Sequence, residues 1–159
     1  PEKKDNFNPD KKNIVDAVVG LSDIMPTILE SINIEIPDTV EGKSLLPLIK
    51  GESSGVHDFI HGECSSIPTL NSGMQYMTDG NFKYIWYPGS GEEQLFDLAN
   101  DPKELINLSA DGGNQTILSF WQSKMVNILM NRPEGFVTNS MLQKLSGPST
   151  DILPENFGI

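Results

Sequence analysis

Two tight turns within residues 74–98 constrain the fold of this chain more than any other feature of its sequence. The first turn is Asp79-Gly80, a pair typical of two-residue type I′ hairpins, in which both residues adopt positive φ. The second is the Pro- and Gly-rich run 88–91, which reverses the chain again. The flanking residues are mostly β-branched or aromatic and therefore favour strands: Tyr76, Thr78, Phe82, Tyr84, Ile85, Trp86 and Tyr87. The stretch predicts three antiparallel strands whose alternate aromatic side chains share one face.

Amphipathic helices are predicted on both sides of this meander. In the first, apolar residues recur at i, i+3, i+4, i+7, i+8 and i+11, the spacing of one helix face: Leu21, Ile24, Met25, Ile28, Leu29 and Ile32. The second runs from about 116 to 130 and has a similar stripe: Ile117, Phe120, Trp121, Lys124, Met125, Ile128 and Leu129. Apolar runs at 14–19 and 59–64 predict two further strands. The expected fold class is α+β, with a small four-stranded antiparallel sheet packed against the C-terminal helix.

The composition excludes some classes of partner. A formal net charge of −11 repels a phosphate backbone, so no nucleic acid is expected to bind. No apolar run approaches the roughly 20 residues that span a bilayer, so no membrane span is expected. The chain has one cysteine, Cys64, which excludes an intrachain disulfide and gives no information on the compartment. A periplasmic or secreted location and a cytoplasmic one therefore stay open.

Several segments, in order along the chain, resemble the sulfatase family of the alkaline phosphatase superfamily. The helix at 21–29 resembles the family pattern l-x-D-l-x-P-T-l-l, and residues 36–48 resemble the loop that follows it. Residues 61–63 resemble the family's h-G-E strand. Residues 78–108 resemble the hallmark t-D-G-x-x-K-Y…E-q-L-F-D-L…D-P-x-E…N-L, and residues 132–137 resemble the tail of some bacterial members. With its intervening stretches, the resemblance covers roughly residues 14–155.

The resemblance implies an enzyme whose catalytic groups are absent from these residues. Sulfatases use a formylglycine made from the first residue of Cys/Ser-x-Pro-x-Arg, and a divalent cation, usually Ca²⁺, that polarises the sulfate. The nearest match here, Ser-x-Pro-x-Leu at 66–70, has leucine where the arginine must be. We therefore expect no catalytic residue, metal ligand or cofactor in this chain, and expect Ca²⁺ and formylglycine in a full-length parent enzyme. The main expected partner is a missing N-terminal catalytic domain.

The element order and the resemblance together predict four segments. Residues 1–12 form a charged arm that is expected to be disordered, and residues 13–55 correspond to the last strand and helix of an alkaline-phosphatase-like α/β domain. Residues 56–135 form the C-terminal antiparallel-sheet subdomain, and residues 136–159 form an irregular tail. Because the rest of the α/β domain is expected to be missing, the N-terminal strand and helix should expose apolar surface. Self-association of the chain is therefore expected.

The candidate substrate-binding residues are His61, Glu63 and Gln75. His61 and Glu63 share one strand face, because residues two apart in a strand point the same way. The resemblance implies that this strand lies close to the active-site cleft, where a protonated histidine could recognise an anion. The alternative interpretation is structural, with the histidine hydrogen-bonded under the sheet and the glutamate paired with a lysine. His57 is interpreted as a surface residue at a corner of the chain.

Three functions are compatible with the sequence. The first is the C-terminal part of a sulfatase, a sulfuric ester hydrolase, that is inert alone and contributes structure and part of a pocket wall for a sulfated small molecule or carbohydrate. The second is a standalone binding or scaffold module of the same fold. The third is the equivalent part of a phosphonate or phosphodiester hydrolase. The residues upstream distinguish the first two, because a Cys/Ser-x-Pro-x-Arg motif there indicates a sulfatase.

Overall fold

A computed structural model describes residues 14–64 and 73–145 of the chain, and these fall into two compact units that divide between His57 and Asp58. The predicted charged arm, 1–12, lies outside the described residues, as does the part of the predicted tail from residue 146 onward. The Ser-x-Pro-x-Leu run at 66–70 also lies outside them. Within the described part, none of the helices combines the length and the apolar composition that crossing a membrane requires.

The first unit contains the predicted N-terminal helix. A 3₁₀ turn, Leu21–Asp23, leads into α1, Ile24–Ser31, and a short helix, α2, follows at Leu46–Ile49. Pro26 lies in the first turn of α1, where its missing N–H is not needed for the helix. The apolar stripe of this helix is largely uncovered, because five of its six members are between 48% and 88% exposed: Leu21, Ile24, Met25, Ile28 and Ile32.

The strand predicted at 14–19 is not formed in the described part of the chain. A strand needs a neighbour to satisfy its backbone N–H and C=O groups, and these residues have no partner strand among the described residues. Ile14, Val15 and Val19 are instead exposed. The apolar run 14–19 therefore does not form the predicted strand, because no described strand pairs with it.

The second unit is built on the predicted four-stranded antiparallel sheet, which is confirmed. Its strands are β1, Ile60–Cys64, β2, Met74–Thr78, β3, Phe82–Trp86, and β4, Glu93–Asp97, and they pair in the order β1-β2-β3-β4. Met77, Tyr84 and Leu95 are aligned across β2, β3 and β4, so they share one face of the sheet. All three side chains are fully buried, and Trp86 on the same face is nearly so.

The turn between β2 and β3 differs from the predicted type I′ geometry. Of the two residues in the Asp79-Gly80 pair, only Gly80 has positive φ, at 87°. The Asp79 carboxylate instead accepts hydrogen bonds from the amides of Asn81, at 2.9 Å, and Phe82, at 2.7 Å. This side-chain turn stabilises the hairpin without a left-handed aspartate.

The C-terminal helix, α3, spans Gln115–Leu129 and covers the aromatic face of the sheet. The predicted stripe is correct at Trp121, Met125 and Leu129, which are buried. It is wrong at Phe120, which is 51% exposed. The helix is rotated so that other residues complete the buried face: Leu118 and Val126. Periodicity gives the helix, but the direction of its buried face depends on the sheet that it meets.

A short hairpin follows α3, within the segment that the sequence predicted to be irregular. Its strands are β5, Val137–Thr138, and β6, Met141–Leu142, and they pair with each other in a separate two-stranded sheet. The two residues between them, Asn139 and Ser140, have φ of 51° and 59°. Positive φ at both turn residues is the pattern expected of a type I′ turn, in which Asn is favoured at the first position and Gly, rather than Ser, at the second.

Candidate functional site

The structure brings the three predicted substrate-binding residues together. Glu63 on β1 lies directly opposite Gln75 on β2, and His61 lies one pair further along the same face. The His61 Nε2 atom is 2.8 Å from Gln75 Oε1, and Gln75 Nε2 donates to Glu63 Oε2 at 3.2 Å. These side chains extend the helix-facing side of the sheet beyond its apolar core.

The geometry gives the three residues different roles in this network. Gln75 is only 4% exposed, and its amide uses one end for His61 and the other for Glu63. Because Gln75 Oε1 can only accept, the His61 Nε2 atom must carry a proton to make this bond. His61 and Glu63 are both less buried than Gln75. Gln75 therefore connects two side chains that are more exposed than it is.

Sequence reasoning missed the fourth member of the network, Arg132, which follows α3. Its Nη2 donates to Glu63 Oε2 at 3.0 Å and to Glu134 Oε1 at 2.6 Å, and its Nε is 3.2 Å from both Glu134 oxygens. These bonds lower the pKa of Glu134 although burial opposes the shift. The bond to Glu134 likewise raises the pKa of Arg132 against the effect of burial. Glu63 is thus paired with Arg132, whereas the structural interpretation of the sequence expected a lysine.

The first unit has its own buried polar centre, which the sequence reading also missed. Asp23 is fully buried, and its carboxylate accepts hydrogen bonds from the amides of Gly20, at 2.7 Å, and Lys43, at 2.8 Å. His57 Nε2 lies 2.9 Å from the same carboxylate. Burial alone would raise the pKa of Asp23, but these three bonds together hold it below its usual value.

His57 is consequently not the surface corner residue that the sequence suggested. Its side chain is 16% exposed because it is held against Asp23. Thr27 extends the same centre, since its hydroxyl donates to the Asp23 carbonyl at 2.6 Å and accepts from the Leu45 amide at 2.8 Å. The aspartate and threonine of the resemblance pattern therefore hold the loop at 43–45 against the start of α1.

A third buried polar group joins the sheet to α3. The Tyr84 hydroxyl donates to Glu93, whose two carboxylate oxygens each lie 2.9 Å from Gln122 Nε2. Burial, and then the Glu93 carboxylate, raise the pKa of Tyr84, so the phenol stays protonated. Glu93 also lines a cleft of about 720 Å³ between α3 and the β5–β6 hairpin, which none of the three predicted substrate-binding residues lines.

The described residues can supply hydrogen bonds and charge but no metal centre. Across 14–64 and 73–145, no group of three His, Cys, Asp or Glu side chains is arranged to hold a metal ion. The carboxylates of the network already bind Arg132 and Gln75. These side chains do not fit the Ca²⁺ ion that the resemblance implies for a parent enzyme.

Comparison with known proteins gives one family and several relatives. Residues 6–131 match the family model described as N-sulphoglucosamine sulphohydrolase, C-terminal. The chain is 39% identical over 134 residues to an arylsulfatase from Clostridium perfringens, a match that covers 84% of this chain and 27% of that protein. It is 37% identical over 112 residues to arylsulfatase K of Gallus gallus, covering 62% of this chain and 20% of that protein.

Solved structures share the fold. A 2-O GAG sulfatase aligns with a TM-score of 0.64 and 24% identity, over 72% of this chain and 25% of that one. The phosphonate monoester hydrolase of Agrobacterium radiobacter aligns with a TM-score of 0.54 and 26% identity, over 68% of this chain and 24% of that one. The chain thus spans about a quarter, or less, of the relatives that it matches.

Proposed function

We propose that this chain, which belongs to the N-sulphoglucosamine sulphohydrolase C-terminal family of sulfatase domains, acts as the C-terminal part of a longer sulfuric ester hydrolase. The match of residues 6–131 to that family carries the proposal, and the arylsulfatase relatives support it. In this proposal the formylglycine, the Ca²⁺ ion and the groups that bind them belong to an N-terminal catalytic part. This chain alone is then inert toward sulfate esters.

Within that enzyme, His61, Glu63 and Gln75 are proposed to form part of the wall of the substrate pocket. Their support is the hydrogen-bonded network at one end of the sheet, in which two partly exposed polar groups are held by a buried amide. A site of this kind binds by hydrogen bonds whose direction is fixed in advance. His61 and Glu63 are the proposed contacts, and Gln75 orients them.

The proposal that catalysis requires the N-terminal part can be tested with 4-nitrophenyl sulfate and Ca²⁺. The 159-residue chain is expected to give no hydrolysis, and the product of the full reading frame that encodes it is expected to hydrolyse the ester. Replacing the Cys or Ser of the upstream motif by Ala should abolish that activity. Turnover by the chain alone, or a full-length product inactive on every sulfate ester, contradicts the proposal.

The pocket-wall role can be tested with Gln75→Leu in the full-length protein. This change removes two hydrogen bonds at nearly constant volume, so KM for a bound sulfate ester should rise about tenfold. The control is Gln94→Leu, on the opposite face of the sheet, which removes one bond, to the Tyr87 hydroxyl. An equal rise in KM for both variants, or none for either, argues against a role in the pocket.

The likeness to a phosphonate monoester hydrolase favours one alternative, in which the same C-terminal part serves a different ester. A phosphonate monoester and an aryl sulfate distinguish the two, because each alternative predicts a different preferred ester for the full-length protein. A standalone module is the outcome if the reading frame encodes no catalytic part.

A further inference from the structure

We infer that Arg132 is a positioning residue that holds Glu63 ready to accept hydrogen bonds from the hydroxyl groups of a carbohydrate substrate, an inference that rests on the proposed sulfatase function. Arg132 is the only arginine in the chain. Its guanidinium joins strand β1 to the segment that follows α3, across 69 residues of sequence.

The two oxygens of Glu63 are in different situations. Oε2 accepts from both Arg132 Nη2, at 3.0 Å, and Gln75 Nε2, at 3.2 Å. Oε1 makes no hydrogen bond within the described residues, and the Glu63 side chain is 45% exposed. One oxygen is therefore anchored from two directions, while the other keeps its acceptor capacity within the described part of the chain.

Arg132 can anchor Glu63 because it is itself fixed. Three contacts join it to Glu134, whose side chain is only 10% exposed, and its guanidinium lies 6.0 Å from the centre of the Phe136 ring. A planar guanidinium held in this way presents its remaining N–H groups in a fixed direction. Glu63 therefore loses little further freedom when a ligand binds to it.

The charge of the network selects the part of the substrate that it can bind. Two carboxylates, Glu63 and Glu134, share the single positive charge of Arg132, which leaves these three side chains with a net charge of −1. His61 commits its Nε2 proton to Gln75, so that proton is not available to an anion. An ionised carboxylate oxygen is an acceptor only, and it repels a sulfate group. The matching ligand group is a hydrogen-bond donor, of which the hydroxyls of a sugar ring are a common example.

The test uses the full-length protein and two kinds of substrate. One is 4-nitrophenyl sulfate, which has no hydroxyl group, and the other is a panel of monosaccharide 6-sulfates with free ring hydroxyls. In Arg132→Gln, KM for the best sugar sulfate should rise about tenfold while kcat changes little, since one charge-assisted hydrogen bond no longer orients Glu63. KM for the aryl sulfate should stay within about twofold of the wild-type value.

Two further variants separate positioning from loss of structure. Lys83→Gln removes a matched ion pair, to Glu104, on the opposite face of the same sheet, and should change neither KM. Arg132→Lys keeps the charge and one donor, so its KM for the sugar sulfate should lie between those of the wild type and Arg132→Gln. A thermal melt of each variant identifies any general loss of folding, and if Arg132→Gln fails to fold, Arg132→Lys provides the comparison.

Each outcome separates this inference from the proposed function. If neither kind of sulfate ester is hydrolysed, the proposed function fails and the inference falls with it. If the aryl sulfate is hydrolysed and no sugar sulfate is, the sulfatase proposal stands and the carbohydrate inference is wrong. If the Arg132 variants raise both KM values equally, or neither, Arg132 does not position Glu63 for a sugar.

Discussion

Replacing Asp23 by asparagine should release the loop at 43–45 from the start of α1, because this carboxylate is the acceptor for three donors. Asparagine has nearly the same volume, but its Nδ2 is a donor where the carboxylate had an acceptor. One of the two backbone amides that bind the carboxylate, that of Gly20 or that of Lys43, then faces another donor. Because the side chain at position 23 is fully buried, water cannot readily take its place as the acceptor.

The magnitude follows from the bonds that are lost. A hydrogen bond to a charged acceptor contributes about 1.5–3 kcal/mol, and leaving a buried donor unsatisfied costs about 1–3 kcal/mol. The bond from His57 also weakens, because its acceptor is no longer charged. We expect a loss of about 3 kcal/mol, which is roughly a hundredfold in an opening equilibrium.

Hydrogen exchange of the Leu45 amide measures this loss locally. That amide donates to the Thr27 hydroxyl and not to Asp23, so it reports whether the loop stays closed rather than the removal of its own acceptor. Its protection factor should fall about a hundredfold in Asp23→Asn and change less than about threefold in the control Asp38→Asn, an exposed residue of the same unit. Protection that falls less than about threefold in both variants refutes the stabilising role assigned to Asp23.

Three other predictions follow from the described residues. Because hydrogen bonds lower the folded-state pKa of Asp23, the stability that this carboxylate contributes is present above its ordinary pKa near 3.8 and is lost as the pH falls through the lowered value. Urea midpoints should therefore drop between about pH 5 and pH 3, and a rise in the midpoint on acidification would contradict this sign. Gly42→Ala should destabilise the chain by about 3 kcal/mol in urea unfolding, because its new Cβ would collide with the Ser22 carbonyl oxygen in the 3₁₀ turn. Gly55→Ala, with open space around it, should be nearly neutral, and equal effects of the two changes would refute the close-approach argument. The exposed stripe of α1 should make the isolated chain self-associate, and Ile24→Lys should reduce its apparent mass in light scattering. A wild-type chain that is monomeric at high concentration would contradict this prediction.

The sequence was sufficient for the elements that have a clear period. The alternation of Phe82, Tyr84 and Trp86 predicted both the strand and its buried face, and the position of α3 was correct to within a residue or so. Its buried face was correct only in part, because a helix stripe wide enough to include Phe120 does not say which edge the sheet will cover. The strand predicted at 14–19 failed for a related reason, since a strand depends on a partner that a local pattern cannot supply.

The polar centres were less accessible from sequence. His61, Glu63 and Gln75 could be grouped because strand alternation and a hairpin place them close together, yet whether they bind substrate is still a prediction. Arg132 could not be assigned, because its contact with Glu63 depends on how α3 crosses the sheet. The role of Asp23 could not be assigned from sequence either, because its partners include an amide 20 residues away and a histidine 34 residues away.

The central claim, that this chain completes a sulfatase whose reaction centre lies elsewhere, is tested most directly by a rate measurement on two proteins. With Ca²⁺ present, we predict sulfate release from an aryl or sugar sulfate by the full-length product and none by the 159 residues alone. Sulfate release by the isolated chain, or a full-length product that cleaves phosphonate esters but no sulfate ester, would contradict it.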